Sequence, residues 1–174
     1  MKFFKSLFKK KRLGLSNDPR EMGGNGNAGF VRDMSDANGD KTGVESTGGR
    51  ITPENIQTLR PGQVFVFGSN SRGSHSGGAA AFALRFGAID GQAEGMQGDS
   101  YAIVSMDGLE VMQEQVGRFI RYAKEHPERT FLVTAVGCGI AGFEPKEVAP
   151  MFSEAVDMKN VWLPKSFWDY LPSL

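Results

Sequence analysis

At 174 residues, with 40% hydrophobic residues and 20 basic against 20 acidic side chains, the chain is sized for one domain with a proper core. The single cysteine, Cys138, excludes an intrachain disulfide and a multi-cysteine zinc site, and it suits a reducing, cytoplasmic compartment. No run approaches the roughly 20 apolar residues that span a bilayer, and the N-terminus lacks the apolar stretch and small-residue cleavage site of a secretory signal.

The even charge balance conceals a split. Six basic residues and no acid fall in Met1–Ser16, which leaves 14 basic against 20 acidic residues in the rest. A basic tail therefore precedes an acidic body. An acidic body argues against a specific nucleic-acid face on the folded domain, while the tail suits a polyanion or an anionic membrane surface. Phe3, Phe4, Leu7 and Phe8 fit one face of a short helix there. Two readings stand for residues 1–16: a peripheral membrane tether, or a disordered start, since one or two helical turns are marginal in water.

Residues 17–50 are rich in Gly, Asn, Asp and Ser and keep no strand or helix period, so they read as a flexible linker. Asp36–Asp40 has the look of a calcium loop without its full ligand spacing, and turn chemistry explains it. No metal site and no cofactor are expected.

The folded domain is expected over 51–174. Thr52-Pro53 resembles an N-cap followed by a first-turn proline, with Ile56 and Leu59 on a single helical turn. Val64–Phe67 is a short apolar run that predicts a strand covered on both faces. It stops at Gly68 and enters a loop, Ser69–Gly78, with three glycines and four serines. A helix is predicted from Gly78 to Phe86, ending at Gly87. Its start offers unpaired N–H groups to an anion. Ala88–Ser100 is a second glycine-rich connection, long enough to suggest a binding loop.

Tyr101–Ser105 predicts the next buried strand. Glu110–Glu125 predicts an amphipathic helix, with Val111, Val116, Phe119, Ile120 and Ala123 inward and Pro127 beyond its end. Thr130–Val136 predicts a third strand that runs into the tight loop Gly137–Gly142. Glu144–Asp157 predicts a helix with Pro145 in its first turn, and Asn160–Leu163 a last strand. Trp162, Phe167, Trp168 and Tyr170 are expected to seal the core. Strand and helix alternate as in an α/β domain with a mixed, largely parallel sheet.

Two glycine-rich loops each follow a buried strand and precede a helix. In an open α/β sheet such loops gather at the carboxyl ends of the strands, where ligands bind. Two such loops, side by side if their strands are neighbours in the sheet, point first to a cleft for a phosphate-bearing ligand; the alternative is that the glycines only make tight turns. No Gly-Lys-Ser/Thr closes a Walker loop, and the GxGxxG pattern is absent after the first strand.

The strand ending Gly68-Ser69-Asn70, followed by Gly77-Gly78-Ala79-Ala80, resembles the Asn-ending strand and glycine loop of macro domains, which bind ADP-ribose. Gly137-Cys138-Gly139-Ile140-Ala141-Gly142-Phe143 resembles their second phosphate loop. The similarity spans about Val64–Leu163 and is that of a divergent member of the kind found in bacteria and phages. It implies a three-layer α/β/α sandwich and a diphosphate held by backbone N–H groups of the two loops, with a ribose near Asn70. Hydrolytic members often carry an Asp just after the first loop, where Ala79–Phe82 stands here. The resemblance thus supports binding of ADP-ribose, or of ADP-ribosylated protein, better than it supports hydrolysis.

The candidate ligand-binding residues are Gly68, Ser69, Asn70, Arg72, Gly73, Gly77, Gly78, Ala79 and the whole Gly137–Phe143 loop. Asn70 and His75 are the candidates for catalysis. His75 could polarise a ribose hydroxyl or act as a general acid or base, or it could only hydrogen-bond the backbone or face water. Arg72 fits a phosphate partner or a solvated side chain. Cys138 reads as an exposed thiolate at a helix start or as a small residue packed behind the loop. Asp99 and Asp107 read as contacts to a base or to a metal-held water, or as solvated loop acids. Phe143 reads as a stacking surface or as sheet-edge packing. The functions in view are an ADP-ribosyl hydrolase, a non-catalytic nucleotide reader tethered by its tail, and the same fold holding another nucleotide.

Overall fold

The apolar run Val64–Phe67 becomes the middle of a five-stranded sheet. The computed structural model describes residues 49–172; the basic tail, most of the linker and the Asp36–Asp40 motif lie outside them. In chain order the elements are β1 (Gln63–Ser69), α1 (Gly78–Ala83), β2 (Gly95–Gln97), β3 (Ser100–Val104), α2 (Leu109–Glu125), β4 (Thr130–Val133), α3 (Pro145–Val148), β5 (Val161–Trp162) and α4 (Lys165–Trp168). Helix α1 continues as a 3-10 turn over Leu84–Phe86, and α3 as a longer one over Ala149–Ala155. The single helix expected over Glu144–Asp157 is thus split, with Pro150 unable to donate to the helical ladder.

The strands are ordered β2-β3-β1-β4-β5. β1 runs parallel to β3 and to β4, β4 runs parallel to β5, and β2 is antiparallel to β3. The α/β class with a mixed, mostly parallel sheet agrees with the alternation in the sequence. The strand β2 was not foreseen; it lies within the Ala88–Ser100 connection.

Alternation along β1 divides the core in two, as a period of two requires. Val64 and Val66 join a cluster with Met112, Val116, Phe119 and Ile120 of α2 and with Phe152 and Phe167. Phe65 and Phe67 join Ala80 and Ala83 of α1, with Ile56, Ala102 and Leu132. Phe119, Phe131, Phe152 and Phe167 are all fully buried. Their ring contacts run from Phe131 to Phe119 at 5.5 Å and from Phe152 to Phe167 at 5.4 Å. Truncating one such ring to alanine costs about 3–5 kcal/mol. Of the aromatic C-terminus, Phe167 is core, Trp162 and Trp168 are half-buried, and Tyr170 is exposed.

Two further expectations are corrected. No helical turn forms over Thr52–Leu59. Thr52 N–H donates to Leu163 O at 2.9 Å and its hydroxyl to Trp162 O at 2.8 Å, so the group that would have capped a helix is committed to the sheet edge. Ile51 makes a parallel bridge to Leu163 there. In α2 the buried arc is Met112, Gln115, Val116, Phe119, Ile120 and Ala123, while Val111 is exposed. Val111 precedes Met112 by one residue, a rotation of about 100° around a helix of 3.6 residues per turn, which carries it off that arc.

Arg50, placed in the linker by its composition, is tied to the domain. Its guanidinium donates to Val156 O and Met158 O at 2.6 and 2.5 Å, and its carbonyl accepts from Leu163 N–H at 3.2 Å. Among the described residues, no helix is long and apolar enough to cross a membrane, and no three His, Cys, Asp or Glu side chains gather as metal ligands.

Candidate functional site

β1 and β4 are neighbours in the sheet and parallel, so the loops that leave their carboxyl ends stand side by side. β3, which lies between them in sequence, pairs with the other edge of β1. The two glycine loops enclose a cleft of about 350 Å³. Of the candidate residues it is lined by Gly68, Ser69, Asn70, Gly77, Gly78, Ala79, Gly137, Gly139, Ile140 and Ala141. Arg72, Gly73, His75, Cys138, Gly142 and Phe143 do not line it. Every lining side chain is uncharged.

The first loop is built around Asn70. Its side-chain oxygen accepts from the N–H of Arg72 and of Ser74, both at 3.1 Å, and its amide donates to Ser74 O at 3.1 Å. An Asn side chain offers two acceptor lone pairs and two N–H groups. Three of the four are spent on the turn, so the ribose-binding or catalytic role expected for Asn70 is left with one N–H. Arg72 sits exposed on that turn, away from the cleft.

The Ala88–Ser100 connection, read from sequence as a binding loop, contributes no residue to the cleft and instead braces this loop from behind. Gly91 N–H donates to Gly73 O at 2.8 Å, and a Cβ on Gly73 would stand 2.5 Å from the carbonyl carbon of Gly91. The Asp90 carboxylate accepts the backbone N–H of His75 at 2.8 Å. The His75 ring is turned into the protein, 2% exposed and edge-on to Phe67 at 5.1 Å. It does not present an acid or base to the cleft. Its Nε2 lies 3.3 Å from Ser69 Oγ.

The second loop turns on Gly137, whose φ of +77° favours glycine. Phe143 folds back toward it and is half-buried against the core, which agrees with the packing reading. Cys138 is half-buried against the same cluster, and burial, with the Glu147 charge adding, pushes its thiol up from the ordinary value. That is opposite to the exposed thiolate and agrees with packing behind the loop. Ile140 is 77% exposed, and its Cδ1 stands 3.8 Å from where a Cβ on Gly77 or on Gly78 would be. The two lips of the cleft thus meet at Ile140 and the glycine pair. The backbone N–H groups of Gly139, Ile140 and Ala141 donate to no acceptor among the described residues. Helix α1 has only six residues, so an anion would be held by loop amides more than by a helix dipole.

A second cavity of about 530 Å³ adjoins the cleft and shares Gly78, Ala79, Thr134 and Ala135 with it. Its apolar walls are Ile56, Phe65 and Phe82, with Pro53 and Pro164. None of these was a candidate, because they come from four separate segments that only the fold assembles. Ser74, Ser76, Ser105, Met106 and Thr134 also line the cleft unforeseen. The serines of the first loop were visible as composition; Ser105 and Thr134 follow the ends of β3 and β4, the positions where parallel sheets place ligands. Asp99 and Asp107 are exposed and line neither the cleft nor the second cavity.

No protein-family model matches the chain, and no curated protein matches it at a significant level.

Proposed function

We propose that the chain binds ADP-ribose or a closely related nucleoside diphosphate sugar, as a macro-domain-like module of three α/β/α layers. The observation that carries this reading is the adjacency of the two glycine loops at the carboxyl ends of β1 and β4. Three features support it. The amides of Gly139, Ile140 and Ala141, without an acceptor among the described residues, suit phosphate oxygens. The absence of side chains at Gly77, Gly78 and Gly139 lets a ligand reach the backbone. The adjoining cavity, with Phe65 and Phe82 in its wall, has the size and apolar character for a base next to the diphosphate.

The reading favours binding without turnover. Among the described residues the cleft is lined by no carboxylate, imidazole or amine, and Glu54 and Lys165 line only the adjoining cavity. Asn70 is engaged in its own turn and the His75 ring is turned away. General acid–base work needs a group within about 2.6–3.2 Å of the proton it moves.

Calorimetry with ADP-ribose, AMP, NAD and cyclic nucleotides tests the reading. ADP-ribose is expected to bind most tightly, and binding of none of them at millimolar excess would refute it. A release assay on ADP-ribosylated protein is expected to give no product above background; turnover by the wild-type chain would replace the reader with a hydrolase.

A further inference from the structure

His75 is the one buried side chain among the described residues with a polar atom left unpartnered, its Nδ1. A neutral imidazole carries a single proton, on one nitrogen or the other. With the proton on Nδ1, a buried N–H would have no acceptor. With the proton on Nε2, the N–H donates to Ser69 Oγ at 3.3 Å and Nδ1 keeps only an unused lone pair. Orphaned buried N–H groups are the rarer and costlier of the two. The second arrangement is therefore the stable one.

Its consequence falls on Ser69. If the Ser69 oxygen accepts from His75, the hydroxyl proton has to find another acceptor. The one among the described residues is Asn70 O at 3.4 Å, well past the roughly 2.5–3.0 Å of a good O–H···O bond. Ser69 ends β1 and lines the cleft. We propose that His75 is a positioning residue that fixes Ser69 as a hydroxyl donor to an acceptor oxygen of the bound ligand, a phosphate oxygen in the reading above, on which this inference rests. The serine supplies the contact; the histidine keeps its lone pair occupied from behind, so that its proton faces the ligand.

The chain holds two histidines, which makes the arrangement directly readable. Long-range proton–nitrogen correlation of the imidazoles, at about pH 8.5 where an ordinary histidine is neutral, reports each tautomer. His126 Nδ1 lies 2.8 Å from Tyr122 O, a carbonyl that only accepts, so His126 is the internal reference for an Nδ1–H tautomer. His75 is expected to show the opposite, Nε2–H. An Nδ1–H tautomer at His75 would overturn the proposal whether or not any nucleotide binds. The second arm is ADP-ribose calorimetry on the full chain. Ser69→Ala and His75→Leu are each expected to weaken binding about tenfold, the loss of one hydrogen bond to a charged group. The double variant is expected to be no weaker than Ser69→Ala, and His75→Gln, whose amide N–H replaces that of Nε2, to restore most of the affinity. Unchanged affinity in Ser69→Ala, or additive losses in the double variant, would overturn the proposal. If the wild-type chain binds no ADP-ribose, the functional reading falls, and the tautomer alone decides the Ser69–His75 arrangement.

Discussion

The hydroxyl oxygen of Ser105 occupies the space in which a side chain at Gly68 would begin, 2.6 Å from where its Cβ would stand. Gly68 is the penultimate residue of β1 and Ser105 follows β3, whose last residue, Val104, pairs with Ser69. The close approach lets both strands end together at the floor of the cleft. Gly68→Ala is expected to destabilise the chain by about 1–3 kcal/mol through overpacking. Since the Ser105 Cβ would be 3.6 Å away, an ordinary contact, Ser105→Ala added to Gly68→Ala is expected to recover most of that loss. Urea midpoints of the two single variants and the double variant measure it; an equal deficit in the double variant would show that the clash is with something else.

In the proposed reading the two cavities divide the ligand between them, and their walls separate by mutation. Phe82→Leu keeps the bulk beside Phe65 and Phe86 while removing a flat face from the larger cavity. It is expected to weaken ADP-ribose about fivefold, the worth of one aromatic contact, and to leave ribose 5-phosphate unchanged. Ile140→Ala, on the rim of the smaller cleft, is expected to weaken both ligands without lowering the melting temperature, since the side chain is 77% exposed. Equal losses for both ligands in Phe82→Leu would place the base elsewhere.

Tyr101 is expected to make stability fall at alkaline pH. Burial, reinforced by the Glu94 charge, pushes its hydroxyl from 10.0 up to about 12. Below pH 10 folded and unfolded chains both keep the proton and the stabilisation is complete. Between about 10 and 12 the unfolded chain releases the proton and the folded chain retains it, so stability falls as pH rises. The wild-type chain is expected to lose about 1.4 kcal/mol more per pH unit in that window than Tyr101→Phe. Parallel curves of unfolding free energy against pH would contradict this.

Much of the chain's local structure was legible because it depends on neighbours in sequence. Val64–Phe67 announced a strand buried on both faces, and the spacing of Val116, Phe119, Ile120 and Ala123 announced the inner face of α2. Where a residue's hydrogen bonds were free to go elsewhere, the local signal misled. Thr52 has the chemistry of a helix cap, and a carbonyl more than a hundred positions away captured it. Asn70 and His75 have the chemistry of a catalytic pair, yet one folds its own turn and the other backs Ser69.

The amino-acid sequence by itself determined the alternating elements, the α/β class and the two glycine loops, since backbone propensity, apolar period and the freedom of glycine act over a few residues. Only the tertiary structure decided that those loops meet. Parallel pairing puts β4 beside β1 and sends β3 to the other edge, a choice made by packing between β1 and β4, whose paired residues, such as Gln63 and Thr130, lie far apart in the chain. The same packing set Phe65 and Phe82 in one cavity wall, turned Cys138 and Phe143 inward, and left Ser69 lining the cleft with His75 behind it. Side-chain roles at the site follow from which partner each polar group finds, and those partners are distant in the chain.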